Sequence, residues 1–278
     1  MIILGIESAT LQVGCALGGH EGVLASFHQA RGRRHAETLH PAIAFVCEQA
    51  GIALGEVGAI AVDVGPGLFT GLRVGMATAK ALATALRIPA VGVSSLDLLA
   101  FSVRHSGRLI APAVDARRGE VYTALYRHVP GGVQRLTELR VCPATDLAAE
   151  LMARHEDALA VGDGAIRYAD VLTEVDHVEV GGVASAHPSA DALVLLAHAK
   201  ALREEFESPD KLEPIYLRKA DAEANFKQRT PPSQSPRPSA SLRSSAPTSE
   251  RAWAAAPARG PSTRDPLPRR DRAPGEGR

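Results

Sequence analysis

The sequence predicts an α/β fold in which one strand–helix pattern is repeated. The chain has 278 residues, and 45% of them are hydrophobic, which is enough to build a substantial core. In each half of the chain, short adjacent strands come first, and helices and a further strand follow them. Such a repeat is typical of a duplicated α/β protein with two lobes.

The elements of the first half follow from hydrophobic spacing and from turn residues. The segment 36–50 has apolar residues at helical spacing, and the segment 59–62 is continuously apolar, as in a strand covered on both faces. The predicted order is strands at 2–6, 13–17 and 23–28, a helix at 36–50, a strand at 57–64, a helix at 70–87 and a strand at 90–93.

The second half repeats this order with more irregular spacing. A tight connection at 116–119 separates two strand-like segments and predicts a hairpin. The predicted order is strands at 109–115, 120–127 and 133–139, a helix at 145–155, a strand at 159–161 and helices at 165–173 and 190–206. We expect three regions: an N-terminal lobe at 1–105, a C-terminal lobe at 106–224 and a tail at 225–278.

The balance of charges is uneven along the chain, although the formal net charge is zero. Residues 227–278 hold 11 basic and 4 acidic side chains and 10 of the 19 prolines. Such a segment has too few apolar residues to offset the entropy of ordering, which predicts a disordered tail. Three alternatives stay open for the tail: a solvated appendage, a segment that binds RNA phosphates through its arginines, or an out-of-frame reading of GC-rich DNA.

Several classes of protein are excluded by simple patterns. No apolar run approaches the roughly 20 residues that cross a bilayer, and Glu7 interrupts the N-terminal apolar run, which also lacks the basic start of a secretion signal. The three cysteines have no CxxC spacing, which argues against a zinc ribbon or a disulfide scaffold and for a reducing compartment. We therefore predict a cytoplasmic protein that does not bind membranes.

One long string gives the chain a resemblance to a known family. The string VDVGPGLFTGLRVGMATAKALA at 62–83 resembles the TsaB (YeaZ) family, an accessory subunit in the synthesis of threonylcarbamoyladenosine in tRNA. Four more strings are similar to that family in the same order. They are GIESAT at 5–10, RRHAETLHPAI at 33–43, VDARRGEVY at 114–122 and PIYLRKADA at 214–222.

The resemblance implies a fold, a pathway and partners. The implied fold is the two-lobed fold shared by actin, hexokinase and Hsp70 (the ASKHA fold). The implied function is that of a non-catalytic scaffold, which binds and activates the catalytic subunit TsaD in forming threonylcarbamoyladenosine next to the anticodon. The implied partners are TsaD, the ATPase TsaE, tRNA through the complex, and a second copy of the chain in a homodimer.

The resemblance also places two residues where TsaD relatives carry histidines that bind a metal. Those histidines form an HxxxH pair after the strand that follows the glycine-rich helix, and the matching positions here are Ser95 and Leu99. Leucine has no lone pair to donate, and a neutral serine hydroxyl is a poor metal ligand compared with imidazole. We therefore expect no metal site and no catalytic residues in this chain.

Two helices are candidates for binding the partner. Their apolar or small residues form stripes that suit a four-helix interface with another chain, or that pack on this chain's own sheet. The resemblance favours the interface. The candidate residues are Leu39, Ile43, Phe45 and Val46 on the first helix and Gly71, Gly75, Ala79 and Ala83 on the second. Phe45 lies off the stripe of its helix, which predicts that it is exposed.

The glycine-containing loops are weak candidates for binding an anion or a nucleotide. Gly65, Gly67 and Gly71 could present backbone amides at a helix start, or could form a tight turn with close packing. The other candidates, in the hairpins that open each lobe, are Ser8, Thr10, Asp115 and Gly119. We expect no bound cofactor beyond weak nucleotide binding. Two alternative functions stay open: a stand-alone nucleotide-dependent transferase, and an RNA-binding module that uses the tail.

Overall fold

The computed structural model describes residues 1–30 and 35–218. The predicted disordered tail at 225–278 lies outside the described residues. The described strands are β1 (Ile2–Glu7), β2 (Val13–Gly19), β3 (Gly22–Gln29), β4 (Val57–Gly65), β5 (Ala90–Ser94), β6 (Leu109–Arg117), β7 (Glu120–Thr123), β8 (Tyr126–Val129), β9 (Gly132–Arg135), β10 (Arg140–Pro143), β11 (Ala158–Val161) and β12 (Val178–Val180).

The described α-helices alternate with these strands. They are α1 (His35–Ala50), α2 (Phe69–Leu86), α3 (Ser95–Ser102), α4 (Ala144–Arg154), α5 (Asp163–Arg167), α6 (Ala169–Leu172) and α7 (Ala190–Ala201). Helix α2 ends where Arg87 adopts a left-handed conformation, two residues before Pro89, which cannot continue a helix. The segment predicted as one helix at 165–173 is divided into α5 and α6 at Tyr168.

The strands form two sheets with the same topology. The first sheet has the order β3-β2-β1-β4-β5, and the main path of the second has the order β10-β7-β6-β11-β12. In the first sheet, β2 and β3 extend the sheet from β1 by antiparallel pairing, and β4 and β5 extend it on the other side of β1 by parallel pairing. In the second sheet, β7 and β10 extend the sheet from β6 by antiparallel pairing, and β11 and β12 extend it on the other side of β6 by parallel pairing. The predicted duplication is therefore confirmed, and it is the topology of the actin-like two-lobed fold.

The second sheet departs from the sequence prediction in its hairpins. The predicted strand at 120–127 is interrupted at Ala124 and Leu125, so that β7 and β8 both pair with β6. The predicted third strand at 133–139 is divided as well: β9 pairs with β8, whereas β10 pairs with β7. Leu125 is fully buried where the chain turns away, and its amide binds the Thr137 hydroxyl at 2.9 Å.

Helices cover both faces of the first sheet. Helices α1 and α2 pack on one face, and the side chains between them and the strands form a core that includes Leu39, Val46 and Ala79. Helix α7 packs on the other face, against β1 and β2, through Leu193 and Val194. This placement differs from the sequence analysis, which assigned 190–206 to the C-terminal lobe, because spacing alone does not say which sheet a helix covers.

The chain after α7 continues across the molecule as an extended segment. Glu207 pairs with Ala90 at the edge of the first sheet, and Leu212 is buried in the core beside α2. The amide of Ile215 then donates to the carbonyl of Val64 at 2.7 Å. We call residues 207–218 the strap. No helix in the described part of the chain is long and apolar enough to cross a membrane.

Candidate functional site at the junction of the sheets

The loops at the carboxyl ends of β1, β4 and β6 come together where the two sheets meet. In open α/β sheets, ligands bind outside the carboxyl ends of the strands, so this junction is the expected place for a site. The two weakly predicted loop groups, around Ser8 and around Asp115, are close to this junction. The residues that line it come from both sheets and from the strap.

The turn between β1 and β2 is fixed on the start of α2. The Ser8 hydroxyl donates to the Gly71 carbonyl at 2.9 Å, and the Leu68 amide donates to the Ala9 carbonyl at 2.7 Å. The Thr10 carbonyl lies 2.9 Å from the His35 ring, at the first residue of α1. Ser8 and Thr10 are buried, and these contacts occupy groups that the sequence analysis offered to an anion.

The glycines of the β4–α2 segment allow the β1–β2 turn to pack closely against the start of α2. A Cβ atom on Gly67 would overlap the Ala9 carbonyl, and one on Gly71 would overlap the Ser8 carbonyl. On Gly75 it would overlap the Ser8 hydroxyl. Gly65 has a φ of +96°, a conformation that residues with a side chain rarely adopt. The geometry supports the close-packing alternative for these glycines rather than an anion site.

Two carboxylates are buried side by side beneath this turn. Glu7 is the last residue of β1, Asp63 lies two residues before the end of β4, and they are 0% and 1% exposed. Desolvation raises the pKa of Glu7 well above its usual 4.5, and the nearby Asp63 raises it further. Desolvation also raises the pKa of Asp63, from 3.8 to about 7, against the opposing effect of its hydrogen bonds. Both groups therefore hold protons more tightly than exposed carboxylates do.

Each of the two carboxylates has one oxygen bound and one without a partner among the described residues. Glu7 Oε1 accepts from the Ala9 amide at 2.8 Å, and Asp63 Oδ1 accepts from the Gly65 amide and the Ser95 hydroxyl. In the described part of the chain, Glu7 Oε2 and Asp63 Oδ2 have no hydrogen-bond partner. Within residues 1–30 and 35–218, no group of three or more His, Cys, Asp or Glu side chains is arranged to hold a metal ion.

The hairpin between β6 and β7 carries the second group of charges. Asp115 is 8% exposed, and its carboxylate contacts the guanidinium groups of Arg117 at 3.1 Å and Arg167 at 3.5 Å. Its backbone amide donates to Asp163 Oδ1 at 3.0 Å, where burial raises the pKa of the Asp163 carboxyl. Gly119 lies in the turn with open space around its Cα. Asp115 is therefore held by this chain's own cations.

The strap closes the junction on one side. Arg218 donates to the Ala116 carbonyl at 3.1 Å and forms an ion pair with Glu120 at 3.0 Å. A cavity of about 150 Å³ remains between the strap, the β4–α2 turn and the β6–β7 hairpin. Phe69 and Tyr216 stand at its edge, with their ring centroids 5.3 Å apart. The junction is thus a small cleft lined by both apolar and charged side chains, with an aromatic margin.

The predicted partner-binding residues lie almost entirely inside the first lobe. All of them except Phe45 are buried, Gly71 and Gly75 against Ser8 and the others in the core, which corrects the prediction that these stripes face a partner. The buried residues are Leu39, Ile43, Val46, Gly71, Gly75, Ala79 and Ala83. The stripes are buried because α1 and α2 need their apolar and small faces to cover the first sheet. Phe45 is 47% exposed, so the prediction of its exposure is confirmed.

The two positions that match the metal-binding histidines of TsaD relatives are both buried. Ser95 donates to Asp63 Oδ1 at 2.7 Å, and Leu99 packs with Ile110 and Val114 between α3 and the second sheet. The Leu99 side chain offers no donor atom. The chemistry at these two positions is that of a hydrogen bond and an apolar contact.

Sequence reasoning did not single out Asp63 or Asp163. One signal for Asp63 was available, because it interrupts the apolar run AIAV-D-V. Burying a carboxylate costs free energy, so an aspartate inside a buried strand indicates a structural or functional role. No comparable signal marked Arg167 or Tyr216, which reach the junction only through the tertiary fold.

Comparison with known proteins agrees with this architecture. Residues 23–226 match the family described as TsaD, tRNA N6-adenosine threonylcarbamoyltransferase. The solved structure of YeaZ from Pseudomonas aeruginosa superposes with a TM-score of 0.70 at 29% identity, covering 78% of this chain and 99% of that one. The fold and the family match together define an actin-like protein of the TsaD group.

Relatives with curated names narrow the assignment. The chain is 32% identical to the tRNA threonylcarbamoyladenosine biosynthesis protein TsaB of Bacillus subtilis, over 81% of this chain and 98% of that protein. It is 28% identical to the TsaB protein of Escherichia coli, over 78% of this chain and 95% of that protein. The chain belongs to the TsaB (YeaZ) family, whose named members take part in the biosynthesis of threonylcarbamoyladenosine in tRNA.

Proposed function

We propose that this chain is a non-catalytic accessory subunit that binds a TsaD-type catalytic subunit and activates it in forming threonylcarbamoyladenosine at the tRNA adenosine next to the anticodon. The observation that carries the proposal is the match to TsaB proteins over nearly their whole length. In this proposal the chain acts in the cytoplasm, needs no cofactor of its own, and reaches TsaE and tRNA through the complex. The proposal also allows a homodimer, in which a second copy of the chain would compete with the TsaD-type subunit for the same binding surface.

The chemistry of the junction supports an accessory role. At the two positions where TsaD relatives carry metal-binding histidines, this chain has a serine that binds Asp63 and a leucine packed in the core. A catalytic threonylcarbamoyl transfer needs groups that stabilise charge on the reacting atoms. Asp63, which binds Ser95, and the nearby Glu7 are buried carboxylates whose pKa values are raised, which suits a structural role better than the activation of a substrate.

The exposed faces of α1 and α2 are the surface that we assign to the partner. The two helices lie side by side on one face of the first sheet, and small or apolar residues are exposed in the middle of each helix, among charged and polar ones. Ala44 and Phe45 are exposed on α1, and Ala77 and Ala81 are exposed on α2. Small residues let two helix pairs approach closely, and one exposed aromatic ring offers an anchor. The chain would thereby bias TsaD toward its active arrangement, a coupling of typically about 1–3 kcal/mol.

The experiment places a long, positively charged side chain on that surface. Ala77→Arg and Ala81→Arg should abolish co-purification with the TsaD-type subunit of the same cell and should lower threonylcarbamoyladenosine in its tRNA. Both positions are exposed in the middle of a helix, so the fold should tolerate the change. The matched control is Ala149→Arg, an exposed alanine on α4 in the second lobe. Normal co-purification by both α2 variants would contradict the proposal.

Enzymatic activity of the isolated chain would contradict it as well. The alternative of a stand-alone transferase requires nucleotide turnover by the purified chain and its loss in Asp115→Ala. The expected result is that the pure chain shows no turnover and no modification of tRNA until the TsaD-type subunit is added.

A further inference from the structure

Two exposed aromatic rings and an arginine form a stacked group at the edge of the junction. Phe69 and Tyr216 are 40% and 47% exposed, and their rings are tilted by 38° with centroids 5.3 Å apart. The guanidinium of Arg73 lies 4.5 Å from the centroid of the Phe69 ring. Exposed aromatic rings of this size are costly to leave in water, and flat faces beside a guanidinium suit the stacking of another planar group.

On the side of the second lobe, Arg117 lines the cleft that these rings border, and Arg167 reaches the Asp115 carboxylate in the same lining. Arg117 and Arg167 share one carboxylate, that of Asp115, so the three groups together carry one excess positive charge. Their side chains are 49% and 55% exposed, which leaves donors available to a ligand. Arg73 adds a further positive charge beside Phe69. We name Phe69, Arg73, Arg117, Arg167 and Tyr216 the aromatic–arginine surface.

The hairpin that carries Arg117 has an unusual backbone. Arg117 and Arg118 have φ values of +68° and +58°, although asparagine and glycine accept this left-handed region more readily than arginine does. Backbone strain of this kind is often associated with a functional turn. Here the strained turn places Arg117 in the lining of the cleft that Phe69 and Tyr216 border, and Arg118 follows it in the same turn.

We propose that the aromatic–arginine surface binds single-stranded nucleotides of RNA. A base would stack on the rings of Phe69 and Tyr216, while Arg73, Arg117 and Arg167 contact the phosphates on either side. Proteins that bind unpaired RNA combine these two features, because every base has a flat face and every nucleotide carries a phosphate. The choice of RNA over DNA rests on the proposed function, since relatives of this chain act in tRNA modification.

The size of the cleft argues for an extended strand rather than a free nucleotide. The cavity between the rings and the hairpin has about 150 Å³, whereas sites for drug-sized ligands begin at about 300 Å³. A single ring fits this volume, but the sugar and the phosphates must lie outside, along the arginines. An acidic peptide would satisfy the arginines equally well, but it would leave the paired aromatic faces unused.

The test measures RNA binding by the full chain alone. The probe is a fluorescently labelled stem–loop RNA with an unpaired loop, and the comparison probes are the same sequence in DNA and polyglutamate. Phe69→Ala with Tyr216→Ala should weaken RNA binding at least about 5-fold, as expected for the loss of base stacking. Arg117→Asn with Arg118→Asn should lower the salt dependence of the affinity by about 0.7 for each phosphate that the variant no longer binds.

The arginine variant is chosen to keep the fold intact. Asparagine accepts a positive φ more readily than arginine, so the double change removes charge without adding strain. The matched control is Arg127→Asn with Arg203→Asn, two arginines that are 54% and 58% exposed and lie in other parts of the fold. The basic tail is present in every variant and contributes equally to all of them.

The outcomes separate this inference from the proposed function. Weaker RNA binding in both junction variants, with the control unchanged, would support the inference. It is overturned if the wild-type chain does not bind the RNA at low salt, if the junction variants bind like the control, or if only polyglutamate binding is lost. Because the measurement uses the chain alone, its failure would leave co-purification with the TsaD-type subunit as a separate question.

Discussion

The Ser95 hydroxyl and the Gly65 amide both donate to the same oxygen of Asp63, each at 2.7 Å. The other oxygen of that carboxylate has no partner among the described residues, although Asp63 is almost completely buried. An asparagine at this position would keep Oδ1 and both of its hydrogen bonds while removing the charge. Substitution of Asp63 can therefore test how the buried pair of Asp63 and Glu7 affects the stability of the fold.

Asp63→Asn should make the chain more stable than the wild-type chain at high pH, and its free energy of unfolding should depend less on pH. The folded state raises the pKa of Asp63 to about 7 from 3.8, so the folded chain binds this proton more tightly than the unfolded chain. That contribution to stability is complete below about pH 4 and is lost as the pH rises to about 7. At pH 8 the variant should gain on the order of 4 kcal/mol, at about 1.4 kcal/mol per unit of pKa.

The measurement is urea unfolding of both proteins at a series of pH values from 5 to 8, read by circular dichroism. Ser95→Ala is the useful companion variant, because it removes one donor to Asp63 and should destabilise the charged form further. A wild-type stability that rises from pH 5 to pH 8, in parallel with Asp63→Asn, would show that the carboxylate is ionised in the folded chain.

Gly75→Leu should unfold the first lobe rather than block a partner selectively. Even a Cβ atom at Gly75 would overlap the Ser8 hydroxyl, which is itself bound to Gly71. Overpacking of a buried contact costs typically about 1–3 kcal/mol, and a backbone-fixed neighbour raises that cost. Ala77→Leu, two residues away on the exposed face of α2, is the matched control and should change the free energy of unfolding by less than about 0.5 kcal/mol.

Tyr126→Phe should destabilise the chain by removing one hydrogen bond. The buried Tyr126 hydroxyl donates to Asp97 at 2.7 Å, and Arg135 binds both oxygens of the same carboxylate at 3.0 Å. The expected loss is about 1–2 kcal/mol, because the acceptor is charged but partly open to water. Tyr168→Phe removes a longer hydrogen bond, 3.3 Å to Asp115, and should cost less in thermal unfolding. Equal losses in the two variants would argue against this hydrogen-bond account.

Arg218→Ala should loosen the strap without unfolding the chain. The ion pair with Glu120 is partly exposed, so its loss should cost under about 1 kcal/mol of global stability. Locally, the Ile215 amide should exchange its hydrogen faster, since Arg218 no longer ties the strap to the β6–β7 hairpin. Hydrogen exchange measured at that amide decides the point, with Arg203→Ala as an exposed control. Unchanged protection would mean that the contacts of Glu207, Leu212 and Ile215 hold the strap without Arg218.

Hydrophobic periodicity predicted most of the fold. Helix α1 was predicted at 36–50 and is observed at His35–Ala50, because its apolar residues have one face to cover. The repeat of strands and helices was also visible, since each half builds the same sheet from the same order of elements. The sequence could not separate β7 from β8, because alternation continues through Ala124 and Leu125 while the chain changes partner.

The candidate site was less accessible to sequence reasoning. The glycine ladder of α2 was visible as a pattern, but the pattern is the same whether its neighbour is another chain or the β1–β2 turn. The contact between Phe69 and Tyr216 joins residues far apart in the sequence, through a strap that has no regular structure. Such contacts depend on the tertiary path of the chain, which periodicity does not encode.

Helix α7 carries a consequence for how this protein is made. The part of one sheet face formed by β1 and β2 stays uncovered until Leu193 and Val194 have been synthesised, although the last strand ends at Ser94 and α3 packs on β4 and β5 directly after it. At about 5–20 residues per second, the ribosome needs ~5–20 s to produce the intervening hundred or so residues. During that interval a nascent chain exposes an apolar sheet surface, so this protein should be a client of ribosome-associated chaperones.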